Sequence, residues 1–264
     1  MNIPLTLSPT DLLFVISGSL LIGASKTGIP GAGILAVILI ANVFTNGRLA
    51  NGATTPLLIL ADVFAVYWYQ KHTRWDKVRE LIPSVAIGAL IGVGFLFWLD
   101  EDRAGKNLFN LIIGSIVLLM LVIYLARNWL GDRLSPTTAV GRFFAGSMAG
   151  FATFVSNAAG PIMSIYMSAL KLPKSEFMGT TAWYYFIFNL CKLPFYLLLQ
   201  WLKPDKPTFS LQTLTFNLLM IPCVIAGVFA GKWLLPRISQ KLFEALVLAL
   251  AAAAAVRLVW TYFA

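Results

Sequence analysis

Long stretches of this chain carry no charge at all, among them Ile29 to Asn46 and Ala245 to Val256. About 20 apolar residues in a row are enough for a helix to cross the hydrocarbon core of a bilayer. Charged residues make up only 12% of the 264 residues, and the mean hydropathy is +0.80. A soluble domain carries about a quarter charged residues. Half of that leaves too little polar surface to cover a globule in water, so the pattern points to an all-α integral membrane protein.

Apolar runs bounded by charge, proline and glycine divide the chain into ten segments: 11–25, 29–44, 49–70, 80–98, 107–126, 139–154, 157–170, 177–201, 211–235 and 241–262. Segments 3, 4, 5, 8, 9 and 10 are long enough to cross. Segments 1, 2, 6 and 7 are short, at about 14 residues. Each short pair is joined by a few small or polar residues, as expected of broken or re-entrant helices. Met1 to Thr10 has no basic region ahead of the first apolar run. The first segment is therefore expected to stay in the membrane rather than be cleaved as a signal peptide.

The net charge of +9 resides in the loops and orients the chain. If the ten segments alternate, one side holds Lys71, Arg74, Lys77, Arg79, Arg127, Arg133, Arg142, Lys171, Lys174, Lys232, Arg237 and Lys241. The other holds Arg48, Arg103, Lys106, Lys203 and Lys206, together with the acidic run Asp100, Glu101 and Asp102. Twelve against five makes the first side cytoplasmic and turns both termini outward. No basic run is interleaved with aromatics, which argues against nucleic acid as a partner. Cys191 and Cys223 lie within apolar segments and read as small buried hydrophobes.

The two halves resemble each other. At an offset of 127, Gly23 falls on Gly150, Ala32 on Ala159, Gly33 on Gly160, Gly52 on Gly179, Thr54 on Thr181 and Asp62 on Asn189. At 139, Pro83 falls on Pro222, Val85 on Val224, Gly88 on Gly227 and Gly92 on Gly231. At 134, Leu108 and Phe109 fall on Leu242 and Phe243. The expected organisation is two five-segment repeats, 1–130 and 131–264. An odd number of segments sends the second copy in from the opposite face, so the copies are inverted. Secondary transporters use that layout, with the substrate at the midplane between repeats.

The stretch Gly23 to Gly33 joins two short apolar segments and contains Ser25, Lys26, Thr27, Gly28, Pro30 and Gly31. Broken helix at membrane depth is tolerated only where the backbone is buried or lines a cavity. A half-helix beginning near Ile29 or Pro30 would turn free N–H groups and its positive end toward an anion. Ser25 and Thr27 add hydroxyls, Lys26 a charge, and Gly28, Gly31 and Gly33 room for close approach. In the second half, Ser156 and Asn157 stand where the helix should break, Gly160 follows, and Pro161 can open the next half-helix. The other reading of these small residues is tight helix packing. The spacing of a nucleotide-binding glycine loop is absent.

Segments 3 and 8 carry polar residues at depth: Thr54, Thr55 and Asp62 against Thr181, Asn189 and Lys192. An ionisable group there costs about 2.5–3.5 kcal/mol on insertion. Thr54, Thr181 and Asn189 join the substrate-site candidates. Asp62 and Lys192 are candidates for proton or substrate coupling; the alternative is a structural pairing of Asp62 with Lys192 or Lys26. Arg257, near the end of the last segment, can snorkel. His72 is the only histidine and lies in a basic loop, so no histidine-based metal site, cofactor or catalytic group is expected. Trp183, Tyr184 and Tyr185 are read either as an interfacial belt or as cavity wall, their position early in segment 8 favouring the belt.

The glycine-rich stretch Gly23 to Gly33, the second-half stretch Gly150 to Pro161 and the repeated layout together resemble the TauE/SafE sulfite exporter family, also called TSUP or DUF81. The resemblance covers nearly the whole chain. It implies a multi-pass protein of a prokaryotic inner membrane that carries, and most readily exports, a small anion: sulfite, an organosulfonate or a related carboxylate. Carried over by position, Ser25, Lys26, Thr27, Ser156 and Asn157 are its substrate-site residues. Lys26 and Pro30 depart from the glycine or small residues of that pattern. An anion channel and a membrane-embedded enzyme or assembly factor are the alternatives. Lipid, the anion and protons are the expected partners, and oligomeric state stays open.

Overall fold

The computed structural model describes residues 8–41, 43–44, 47–98, 111, 114–122, 125, 138–205 and 207–263. Every regular element among them is helical: α1 (Pro9–Thr27), α2 (Ala32–Ala41), α3 (Gly47–Tyr69), α4 (Trp75–Trp98), α5 (helical over 114–122), α6 (Ala139–Ser156), α7 (Ala159–Ala169), α8 (Lys174–Leu202), α9 (Leu211–Leu234) and α10 (Gln240–Phe263). Among the described residues, Arg48–His72, Trp75–Leu96, Lys174–Leu202 and Leu211–Arg237 are long and apolar enough to cross a membrane. Six such segments are expected from sequence; the tenth, α10, is not among these four, and much of the fifth, along with the acidic run at 100–102, Arg103, Lys106, Arg127, Arg133 and Lys206, lies outside the described residues.

The short segments are not equal. α1 has 19 residues and α6 has 18, whereas α2 has 10 and α7 has 11. At 1.5 Å per residue the longer pair reach about 27–29 Å and the shorter pair about 15–17 Å. Each hairpin is thus one long helix joined to one short one. α1 starts where Ser8 and Asp11 form a reciprocal capping box. It runs through Gly23 to Thr27 without interruption, so the break is confined to 28–31. Pro30 has no N–H to give and disfavours helix in the residue before it. Gly31 has φ +94°, a region open to glycine, and this delays α2 to Ala32 rather than Ile29 or Pro30. α6 ends at Asn157, whose left-handed φ of 57° is tolerated by asparagine's short polar side chain. α7 then begins at Ala159.

Each hairpin packs on the fourth helix of the other half: α1 lies along α9, and α6 along α4. Glycine makes the approach possible. A Cβ on Gly23 would stand 2.1 Å from Val224 O, and one on Gly227 2.0 Å from Leu20 O. A Cβ on Gly150 would stand 2.2 Å from Val85 O, and one on Gly88 1.8 Å from Ser147 O. α3 and α8 cross between these pairs. One apolar core joins Val15, Ile22, Ile40, Leu57, Phe216 and Val228; a second joins Ile162, Tyr166, Phe177, Phe243 and Val247. Leu90, Ile91, Leu218, Leu219 and Trp233 are exposed on the outer faces of α4 and α9, as a protein solvated by lipid requires.

The basic connections around Arg74, Arg142, Lys174 and Ile238 meet at one end. Arg74 bonds Glu176 at 3.2 Å, Arg142 bonds Glu80 at 2.7 Å, and Lys174 Nζ donates to Leu235 O and Ile238 O at 2.9 and 2.6 Å. Arg48 differs from its expected loop position. It sits in the first turn of α3 and is buried. Arg257 is exposed on α10.

Candidate functional site

The two helix breaks converge on α3 and α8, and a cavity lies where they meet. Ser25, Lys26, Pro30, Gly31, Gly33 and Val37 of the first hairpin line one side. Thr153, Asn157, Ala159 and Gly160 of the second line another. Leu58 of α3 and Thr181, Ala182, Tyr185, Asn189 and Lys192 of α8 complete the wall. Thr181, Tyr185 and Asn189 are spaced by four, with Lys192 three further on, so α8 offers them as one stripe.

Two lysine side chains enter this space. Lys26 Nζ lies 2.8 Å from Asp62 Oδ1, with side chains 8% and 0% exposed. Asn189 Nδ2 donates to Asp62 Oδ2 at 2.5 Å. Lys26 also stands 3.7 Å from the centre of the Tyr185 ring, whose face attracts a cation. Lys192 is 1% exposed and donates to Asn157 Oδ1 and, at 3.4 Å, to Thr153 O. Among the described residues no carboxylate lies within salt-bridge distance of it.

Asn157 is the joint of the second break. Its Nδ2 donates toward Thr54 Oγ1 at 3.0 Å, Asn51 Oδ1 at 3.1 Å and Thr55 Oγ1 at 3.3 Å. Asn51 Nδ2 in turn donates to Val155 O at 3.1 Å. The last turn of α6 is thereby tied to α3, while the side-chain oxygen of Asn157 holds Lys192. At the start of α7, Ala158 supplies no side-chain cap. The first N–H groups of a helix have no intrahelical partner. Those of Ala159 and Gly160 belong to residues that line the cavity.

Of the residues singled out from sequence, Ser25, Lys26, Gly31, Gly33, Asn157, Gly160, Thr181, Asn189 and Lys192 line the cavity, and Asp62 stands behind Lys26. Thr27, Gly28, Thr54 and Ser156 do not line it. Thr27 Oγ1 donates to Val228 O at 2.7 Å and holds α1 to α9. Gly28 is pressed on Gly231, whose oxygen would be 2.3 Å from a Cβ there. For these two positions helix packing is the reading that fits. Thr54 is fully buried and supports Asn157 from behind. Thr153 and Asn51 are not singled out by the sequence, and Tyr185 reads from it as interfacial belt or cavity wall, with the belt favoured. The four-residue spacing of Tyr185 from both Thr181 and Asn189 is the signal that marks it. Tyr184 is fully buried and Tyr185 is cavity wall, so neither forms an interfacial belt; Trp183 packs on Trp75 in a tilted pair with ring centres 5.0 Å apart.

A family model described as sulfite exporter TauE/SafE matches residues 15–258. Comparison with curated proteins and with solved structures finds no match. A match over nearly the whole chain, on a helical membrane protein with a buried cationic cavity, places it: the chain belongs to the TauE/SafE sulfite exporter family of membrane transport proteins.

Proposed function

We propose that the protein is a secondary transporter that exports a small anion, sulfite or an organosulfonate or related carboxylate, by alternating access around the cavity between its two hairpins. The observation that carries this reading is Lys192, a buried lysine amine with no carboxylate beside it among the described residues, set between two helix breaks. A charge buried without a counter-ion is costly, and a bound anion relieves that cost. Donors suited to the anion's oxygens stand around it: the N–H groups at the start of α7 and the second N–H of the Asn189 amide, whose first is given to Asp62. The Ser25 and Thr181 hydroxyls donate to Ile22 O and Phe177 O and would have to turn to reach it.

The halves 1–130 and 131–264 act as inverted copies. Support comes from the way the hairpins are exchanged. Gly23 against Val224 and Gly150 against Val85 are one contact written twice, because Gly23 maps on Gly150 and Val85 on Val224. Leu20 against Gly227 and Ser147 against Gly88 repeat it at the same offsets. A hairpin and the opposite fourth helix then form a unit that can rock against its twin. In this reading the lysine- and arginine-rich connections face the cytoplasm across an inner membrane, and both termini lie on the other side. Lys26, Asp62 and Lys192 are the ammonium and carboxylate groups at the cavity, so a proton travelling with the anion would be handled there.

Counterflow tests the reading. Purified protein in liposomes preloaded with sulfite should take up radiolabelled sulfite faster than in empty liposomes. Flux without acceleration would mean a channel. No flux of sulfite, small sulfonates or small carboxylates would remove transport as the function.

A further inference from the structure

Three buried groups set the charge that the cavity presents to an anion. Lys26 and Lys192 line it, and Asp62 lies against Lys26. The Lys26–Asp62 pair sums to zero whichever partner holds the proton, because a proton passing between them neutralises both. Asp62 is fixed in place on its other side by Asn189. Among the described residues, the lining contains no further lysine, arginine, aspartate or glutamate. The partners of Lys192 are the neutral oxygens of Asn157 and Thr153. With Lys192 protonated, the cavity therefore presents one positive charge that no carboxylate cancels.

We infer that the cavity is matched to a monovalent anion and rejects a divalent one, and that Asp62 sets this preference by cancelling Lys26. The inference rests on the anion-transporter reading and specifies its substrate by charge. The physical reason is balance. A monoanion beside Lys192 closes the charge account of the cavity, with Lys26 already satisfied by Asp62. A dianion would leave one negative charge buried and unmatched, and at low effective dielectric that is a large penalty. It could recruit Lys26 only by stripping Asp62 of its partner. Lys192 supplies the attraction, whereas Asp62 touches the cavity only through Lys26 and acts as a specificity-determining residue.

Methanesulfonate, methanedisulfonate and dimethyl sulfone are a monoanion, a dianion and a neutral molecule built on the same sulfonyl unit. Thermal stabilisation of the detergent-purified full chain by each is measured at constant ionic strength. The residual response of Lys192→Gln is subtracted as a general salt effect. The wild type should be half-saturated by methanesulfonate at a concentration lower by about tenfold or more than by methanedisulfonate, with no response to dimethyl sulfone. Asp62→Asn, which leaves two ammonium groups with no carboxylate, should reverse the order of the two anions. Equal affinities in the wild type, or a tighter dianion, would overturn the inference and leave the anion-transporter reading standing. No Lys192-dependent response to any anion would overturn both. If Asp62→Asn fails to fold, the wild-type ratio alone decides the charge preference. Reciprocal evidence on Asp62 then comes from Lys26→Gln with Asp62→Asn, which restores one net positive charge and should restore the monoanion preference.

Discussion

Lys26 of α1 and Asp62 of α3 form an ion pair at 2.8 Å with both side chains almost wholly removed from solvent. Such a pair gains little net stability over an apolar replacement, because two desolvation penalties offset the attraction. Breaking it on one side is different, since the remaining charge is then buried alone.

Lys26→Met should lower stability by about 3–5 kcal/mol, while Lys26→Met combined with Asp62→Leu should recover most of that loss. Thermal midpoints in one detergent compare the two. Equal losses would mean that the pairing has no energetic role.

Asn157 joins two duties, a left-handed backbone at the end of α6 and a hydrogen-bond bridge between α3 and Lys192. Asn157→Gly keeps the backbone and removes the bridge; Asn157→Ala removes the bridge and adds about 1–2 kcal/mol of backbone strain. Both variants should lose methanesulfonate-dependent stabilisation, and the alanine variant should melt lower. Retained anion response in the glycine variant would separate Asn157 from the site.

The α1–α9 contact should be unforgiving of an added methyl group. Gly227→Ala puts a Cβ 2.0 Å from a backbone oxygen, which can yield only if the helices separate. A loss of at least about 1–3 kcal/mol is expected from such overpacking. Gly94→Ala meets nothing within 4 Å and should stabilise α4 by up to about 1 kcal/mol through helix propensity. Similar midpoints for the two variants would contradict the packing described for α1.

Several features were legible because a single residue in an apolar run is costly wherever the chain takes it. Lys26, Asp62 and Lys192 stand out for that reason, and the breaks at Pro30–Gly31 and at Asn157 follow from local backbone chemistry. Other readings failed where one residue type serves two purposes. Thr27 and Gly28 belong to the same glycine-rich stretch as Ser25 and Lys26, yet they face α9 instead of the cavity. Tyr184 and Tyr185 lie early in α8, and position along a helix says nothing about which way a side chain is turned. Arg48 looked like loop charge because the start of α3 is set a few residues earlier than the apolar run that follows it.

From its residues alone the chain determined that it would be helical, that it would lie in lipid, and roughly where its helices would come apart, because apolar length, proline, glycine and isolated charges act within a few residues of themselves. Tertiary structure alone decided that Asp62 meets Lys26 while Lys192 is left to asparagine and a backbone carbonyl. Coulomb attraction and hydrogen bonding act across a few ångströms, and the distance between groups on different helices is set by how those helices cross, which glycines such as Gly23 and Gly227 control through contacts distant in sequence.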